Sequence, residues 1–397
     1  MGESNIVVGL DLGTTKSRAI VAERDSTGVL KILGVGVSPS GGLRKGVVVD
    51  VERTVQSITA AVEEAGVMSG FPISSVCTGV AGDHIRSLDS RGAIAVGGSE
   101  QEITAADLER VVVAARTVAI PFDREVLHVT PQEYSVDELE GVRDPIGLSG
   151  VRLEASVHIV TAAVTSVQNI CRSVQRAGID VSHVMLESLA CARATLEADE
   201  SELGVCVVNI GGSTTDIAAF SKGSVRCTAV IGMGGQSVTN DLAICLRTSW
   251  PTAEQVKHAY GSALTELVDV DATVAVPTIA GRLPEHVSQR EVASIIEARM
   301  EEIFQQVGSL IQTIGGSAAL GAGVVLTGGS AELPGCAELA ERVLGLPVRV
   351  GGVAERVTGL NDKVGSPEFC TIWTYMGLPA VSLPCLLYTS DAADEGL

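Results

Sequence analysis

Apolar and polar positions change period repeatedly along the chain, and each change marks an element. IVVGLDLGTTKSRAIVAE (6–23) is an apolar run, a polar turn and a second apolar run, the pattern of two strands about a tight loop. VLKILGVGVSPS is a third extended segment, and in VDVERTVQSITAAVEEAGV the residues Val51, Val55, Ile58 and Val62 recur at helical spacing. ISSVCTGV reads as a short buried strand. EITAADLERVVVAARTVAI places Thr104 three residues before Asp107, a capping box ahead of an apolar helix. REVLHVTPQEYSVDEL and GVRLEASVHIVTAAV are extended, the second alternating Val151, Leu153, Ala155, Val157 and Ile159. VTSVQNICRSVQRAGI turns Val164, Val167, Cys171 and Val174 to one helical face. SQREVASIIEARMEEIFQQVGSLIQTIG predicts one long helix with a Ser288/Glu291 box and a stripe of Val292, Ile295, Ile296, Ile303, Val307 and Ile311. GVVLTGGSAELPGCAELAERV then returns to strand, Gly-Gly turn and helix.

The opening layout is written twice. VCVVNIGGSTTDIAAFSKG (205–223) repeats the apolar run, polar glycine turn and apolar run, with Asn209 where the first copy has Asp11. A spacing near 200 residues is too long for a solenoid and predicts two related α/β lobes, the first interrupted by a small mixed segment at 82–158.

Bulk properties narrow the function. A length of 397 residues with 46% hydrophobic content supplies cores for two lobes. A formal charge of −20 and only 3% aromatics argue against a nucleic-acid surface. The nine cysteines are scattered singly, which fits reduced thiols of a cytosolic protein better than a zinc site or disulfide framework. The N-terminus enters a strand with no signal-peptide pattern, and no apolar run reaches transmembrane length.

The twin turns carry chemistry suited to phosphate. Glycine lets backbone N–H donors approach an anion closely, and hydroxyls beside it add further donors. Gly13, Thr14 and Thr15 in one lobe and Gly211, Gly212, Ser213 and Thr214 in the other are placed to hold a polyphosphate from two sides, with the Lys16 cation alongside. Asp11 is the candidate carboxylate for a magnesium ion held through its waters. Gly328, Gly329 and Ser330 follow a strand and suit a planar base lying against backbone. Glu254 and Lys257, three apart in TAEQVKHAYG, read either as a solvated ion pair or, beside three glycine loops, as a ribose contact. A small-metabolite kinase would need a carboxylate base in the cleft, and the sequence presents no evident one.

The order of two phosphate loops and an adenosine loop resembles the actin, hexokinase and DnaK-type ATPases. VLHVTPQEYSVDELEGVRDPIGLSGVRLEASVHIVT, ELGVCVVNIGGSTTDIAAF, VIGMGGQSVTNDLAICLRT and GVVLTGGSAELPG resemble the FtsA family of actin-like bacterial cell-division proteins up to about residue 377. The resemblance implies an actin-like two-lobed ATPase fold with an FtsA-type inserted subdomain. It divides the chain into lobe 1 (1–81, 159–199 and a return at 354–378), the insert (82–158), the lobe 2 core (200–227 and 302–353) and an outer subdomain (228–301). It implies ATP with Mg2+ as ligands, with Gly234 and Gly235 joining the nucleotide loops. It implies an outer subdomain that binds the FtsZ C-terminal peptide through Arg299, self-assembly into filaments, contacts of the insert with other division proteins, and a place at the septum on the cytoplasmic face of the inner membrane. A pilus-assembly adaptor resembling PilM is the alternative of the same fold; a DnaK-type chaperone would need a peptide-binding domain for which no residues remain.

Two departures from the family pattern shape the expectations. Its second phosphate loop usually begins with Asp; Asn209 cannot accept a proton or contribute a charge, so weak or absent ATP turnover is expected. Family members end in a basic amphipathic membrane helix, whereas residues 379–397 (ending LPCLLYTSDAADEGL) have no basic face and read as truncated or foreign sequence.

Overall fold

β1 (Ile6–Leu12) turns at Gly13–Thr15 into β2 (Lys16–Arg24), setting Asp11 opposite Arg18, and β3 (Leu30–Pro39) extends the meander. Two short strands, β4 (Leu43–Arg44) and β5 (Val47–Val48), form a separate hairpin. α1 (Val51–Ser69) begins at Asp50, whose carboxylate accepts the Arg53 N–H, and ends at Gly70. Its buried Ile58, Ala61, Val62 and Ala65 pack on β2 and β3. The helix approaches so closely that a Cβ on Gly36 would stand 1.9 Å from the Ala61 carbonyl oxygen. β6 (Ser75–Val80) lies parallel beside β1. The computed structural model describes residues 6–26, 29–97, 101–277, 284–352 and 357–358.

The next elements are β7 (Arg86–Ala95), α2 (Ala105–Arg116), β8 (Arg124–Val136), β9 (Leu139–Val142) and β10 (Arg152–Ala163). Their four strands form one sheet in the order β7-β10-β8-β9. Residues 88–120 and 128–160 gather into one compact unit and the rest of the described chain into another. α2 has the expected capping box, with Thr104 and Asp107 each accepting the other's backbone N–H. The alternation in β10 holds from Leu153 to Ile159, all buried; Val151 precedes the strand and is exposed.

α3 (Val164–Arg176) buries Val167, Ile170 and Val174, while Cys171 is only half-buried. β11 (Asp180–Leu186) pairs parallel with β6, followed by α4 (Glu187–Thr195) and α5 (Ala198–Leu203). β12 (Val205–Ile210), β13 (Thr215–Ser221) and β14 (Ser224–Ile231) form the second meander, with Asn209 opposite Asp216. α6 (Gly235–Cys245), α7 (Trp250–Tyr260) and the hairpin of β15 (Thr273–Val276) with β16 (Glu285–Ser288) lead to α8 (Gln289–Thr313). Ser288 Oγ accepts the Arg290 N–H at 3.2 Å, two residues on, where the sequence leads one to expect a box with Glu291. Along α8 the stripe is buried at Val292, Ile296, Ile303, Val307 and Ile311, and Met300 and Phe304 complete it. β17 (Val324–Thr327), α9 (Cys336–Leu344), β18 (Val348–Val350) and β19 (Val357–Thr358) close the described chain.

The two core sheets share one topology. In the first the order is β11-β6-β1-β2-β3, with β19 added at the edge; in the second it is β18-β17-β12-β13-β14. Each is an antiparallel meander of three strands with two parallel strands beside the first. The repeat seen in the sequence is thus a repeat of architecture, and it places both glycine turns at equivalent strand ends.

Candidate functional site

The two glycine turns are built alike and touch. Gly13 N–H donates to the Lys16 carbonyl at 3.1 Å, and Gly211 N–H donates to the Thr214 carbonyl at 2.9 Å. Their tips meet through Thr14 Oγ1 and Ser213 Oγ, 2.6 Å apart. A Cβ on Gly212 would fall 2.9 Å from Thr15 Cγ2. Lys16 opens β2 with its residue exposed.

Behind the tips lies a buried group of acids that the sequence motif only partly reveals. Asp11 is 4% exposed and accepts from Arg18 Nη1 at 3.2 Å; burial raises its carboxyl pKa and Arg18 holds that rise back. Asn209 Nδ2 donates to Glu187 Oε1 at 3.0 Å, and Asn209 Oδ1 accepts from Thr327 Oγ1 at 3.3 Å. Glu187, first residue of α4, carries the carboxyl that the sequence does not flag: burial, then the charges of Asp11 and Asp216, push it well above the usual carboxylate range. Asp216 accepts from Thr214 Oγ1 at 2.9 Å, while its other oxygen, Oδ1, is buried without a hydrogen-bond partner among the described residues. Burial is the main cause that pushes the Asp216 carboxyl up to about 7. The only sequence signal for Asp216 is hairpin register. The first copy pairs an acid with a cation across its strands, Asp11 with Arg18; the second pairs an amide with an acid, Asn209 with Asp216.

That raised acid makes stability depend on pH. Folded protein binds a proton at Asp216 more tightly than unfolded chain, so its contribution is fully present below about pH 4 and is lost as pH rises from there through about 7. Asp216→Asn should therefore raise the melting temperature more at pH 8 than at pH 5, in proportion to roughly 2–4 kcal/mol of removed penalty. Equal shifts at the two pH values, measured by scanning calorimetry, would contradict this.

A third set of residues joins the second loop. Gly235 and Gln236, at the start of α6, donate N–H to the carbonyls of Gly211 and Gly212 at 2.9 and 2.7 Å. A Cβ on Gly234 would lie 2.5 Å from the Gly211 carbonyl oxygen, and one on Gly235 would lie 2.6 Å from Ser330 Oγ and 3.6 Å from Lys257 Nζ. Lys257 Nζ donates to Gly235 O (3.2 Å), Thr239 Oγ1 (2.9 Å) and Glu254 Oε2 (2.8 Å). Burial opposes the charge of Glu254, yet hydrogen bonds from Lys257 and Thr239 hold its pKa below the usual range. Gly328, at φ +86°, would put a Cβ 2.6 Å from Asn209 Oδ1, and a Cβ on Gly329 would meet nothing within 4 Å. The two turns, the α6 start, Glu254, Lys257 and the Gly328–Ser330 turn thus form one continuous cluster around Asn209 and Gly211.

Comparison with known proteins identifies the lineage. Residues 206–373 match the family described as "Cell division protein FtsA", and residues 82–161 match the "SHS2 domain inserted in FTSA". Cell division protein FtsA of Pseudomonas aeruginosa is 48% identical over 92% of this chain and 87% of its own length. The chain belongs to the FtsA family of cell-division proteins. FtsA of Escherichia coli K12 is 39% identical over 93% of this chain and 89% of its own. Among solved structures, the PilM-PilN type IV pilus biogenesis complex superposes at TM-score 0.66 with 15% identity, covering 93% of this chain and 97% of that one. MreB5 of Spiroplasma citri bound to ADP superposes at 0.55 with 16% identity, covering 93% and 94%. At such identities the structures establish the actin-like fold, while the relatives decide between the FtsA and PilM readings in favour of FtsA.

In this FtsA-family chain Arg299 is on α8, where Asp241 accepts from its Nε at 2.6 Å and its Nη2 at 3.1 Å and Glu302 accepts from Nη1. The segment from 379 onward lies outside the described residues. No described helix is long and apolar enough to cross a membrane.

Proposed function

We propose that this FtsA-family chain binds ATP with Mg2+ between its paired glycine turns, assembles with copies of itself, and links FtsZ filaments to the cytoplasmic membrane and to later division proteins at the septum. The observation that carries the nucleotide reading is the meeting of two equivalent hairpin turns, Thr14 against Ser213, with a glycine cradle at 212, 234 and 235 that any side chain would fill. Backbone donors of Gly13–Thr15 and Gly211–Thr214 would hold the phosphates, Glu254 and Lys257 the ribose, and Gly328–Ser330 the base. Two of the fold neighbours, MreB5 structures bound to ADP and AMPPNP, carry nucleotide on the same architecture. Asp11, buried at the end of β1 beside the first turn, is the carboxylate that would hold Mg2+ through its waters. The ion would neutralise phosphate charge. Turnover is weak in this reading because the position facing Glu187 is an amide.

The outer subdomain, 228–301, receives the FtsZ C-terminal peptide, with Arg299 meeting an acidic group, and the insert at 82–158 receives other division proteins. At a net charge of −20 an acidic peptide is repelled at long range, so its binding rests on that local cation and on apolar contact. Fluorescence-anisotropy titration of a labelled FtsZ C-terminal peptide, beside calorimetric titration of Mg-ATP, tests both halves. Arg299→Glu should weaken the peptide by at least about tenfold, since reversing a charge at a partly desolvated contact typically costs over 1.4 kcal/mol, and should leave ATP affinity unchanged. A wild-type protein that binds no peptide at high concentration would overturn the FtsZ assignment.

A further inference from the structure

Arg299 is already neutralised within its own domain. Asp241, on α6, takes the Nε and Nη2 edge in a two-point fork. Glu302, one turn further along α8, takes Nη1, and Met233 Sδ lies 3.7 Å from the same nitrogen. One guanidinium with two carboxylates leaves the group with a net negative charge, the wrong sign to attract an acid. The carboxylates are not equivalent. Asp241 is as sheltered as the arginine, each side chain 26% exposed, and its fork fixes the guanidinium plane. Glu302 is 48% exposed and makes a single contact.

We propose that Asp241 is a positioning residue that presents Arg299 to an incoming carboxylate, and that Glu302 is an internal competitor which that carboxylate displaces from Nη1. The inference rests on the reading that an acidic peptide docks on the outer subdomain. Exchange at Nη1 replaces one exposed ion pair by another, so affinity depends on how much better the peptide desolvates the contact than Glu302 does. Specificity for an acid then arises locally, in a chain whose overall charge opposes it.

The two carboxylates supply the test. Glu302→Gln and Asp241→Asn each remove one negative charge, so long-range attraction alone would move both variants in the same direction. The geometry predicts opposite directions. Glu302→Gln should tighten the labelled acidic FtsZ peptide about 3- to 10-fold, the scale of an exposed ion pair, and leave unchanged the affinity of the same peptide with its acids converted to amides. Asp241→Asn should weaken the acidic peptide by about fivefold or more, because the guanidinium loses its fixed plane. If wild type binds and both variants tighten, bulk charge is the cause and the proposal fails while the docking reading stands. Unchanged affinity in either variant removes that residue's role. No binding by any of the three proteins overturns the docking reading and this inference with it.

Discussion

Replacing Gly212 by valine is expected to abolish ATP binding while leaving the chain folded. The position is not left-handed backbone, so the substitution brings no dihedral strain; what it brings is volume at the one place where the two turns meet. Its Cβ would stand 2.9 Å from Thr15 Cγ2 and 3.8 Å from Thr14 Cβ, and two further methyls must push the tips apart. That separates Thr14 from Ser213 and tilts both sets of backbone donors away from a shared anion. Each charge-assisted donor tilted off the anion forfeits about 1.5–3 kcal/mol, so calorimetry should show a loss of at least about 10²-fold, with an unchanged far-UV spectrum. Gly212→Ala, a smaller wedge, should give an intermediate loss. Affinity within threefold of wild type in the valine variant would show that the turns do not act as a two-sided clamp.

Asn209→Asp is expected to raise ATP turnover about 10²-fold at pH 7. Among the described residues the Glu187 carboxyl accepts a hydrogen bond from this amide, and burial with its acidic neighbours raises its pKa well above the usual carboxylate range. A carboxyl that holds its proton cannot take another from an attacking water, so the residual rate should climb as pH rises and Glu187 ionises. An aspartate at 209 would meet Glu187 Oε1 at about the present 3.0 Å. Two carboxyls at that distance share one proton, which leaves one unit of negative charge available as a base, worth roughly 10² to 10⁴ in rate. Between about pH 6 and 8 the N209D rate should accordingly rise less steeply with pH than the wild-type rate, because a pair that shares one proton already carries an ionised carboxyl. Single-turnover measurements across that range decide it: identical rates and pH profiles in the two proteins would remove the pair from the chemistry.

The site was legible wherever chemistry is local in sequence. Glycine followed by hydroxyls between two apolar runs announces a donor-lined turn, and because it is written twice, Gly13–Thr15 and Gly211–Thr214 stand out, as does the Asn209 that breaks the match. Asp216 was hidden in plain view: it lies seven residues past Asn209, and only the hairpin register that pairs the two turns it inward. Glu187 carries no motif at all. It is a single acid in VMLESLA, and the β11–α4 junction that aims it at Asn209 is a product of tertiary packing. A search of the sequence for a cleft acid therefore passes over Glu187, whereas the structure brings its carboxyl against Asn209. Smaller mismatches have similar causes. Val151 keeps the alternation of β10 in sequence but lies before the strand begins, and Ser288 caps one residue earlier than its box pattern because α8 starts directly from β16.

One pairing sets a schedule for synthesis. The first sheet is finished by β19, whose Val357 pairs with Leu30 of β3, so partners lie more than 300 residues apart. At translation rates of about 5–20 residues per second, β3 waits roughly 15–60 s with its backbone edge open after its own hairpin partner has emerged. Such an edge is a template for pairing with another nascent chain. β3 carries two features that discourage this, Lys31 at the very pair β19 will occupy and Pro39 at the far end, where no N–H is offered. Shortening the interval, by circular permutation that places β19 ahead of β1, should lower aggregation during expression without altering the finished fold.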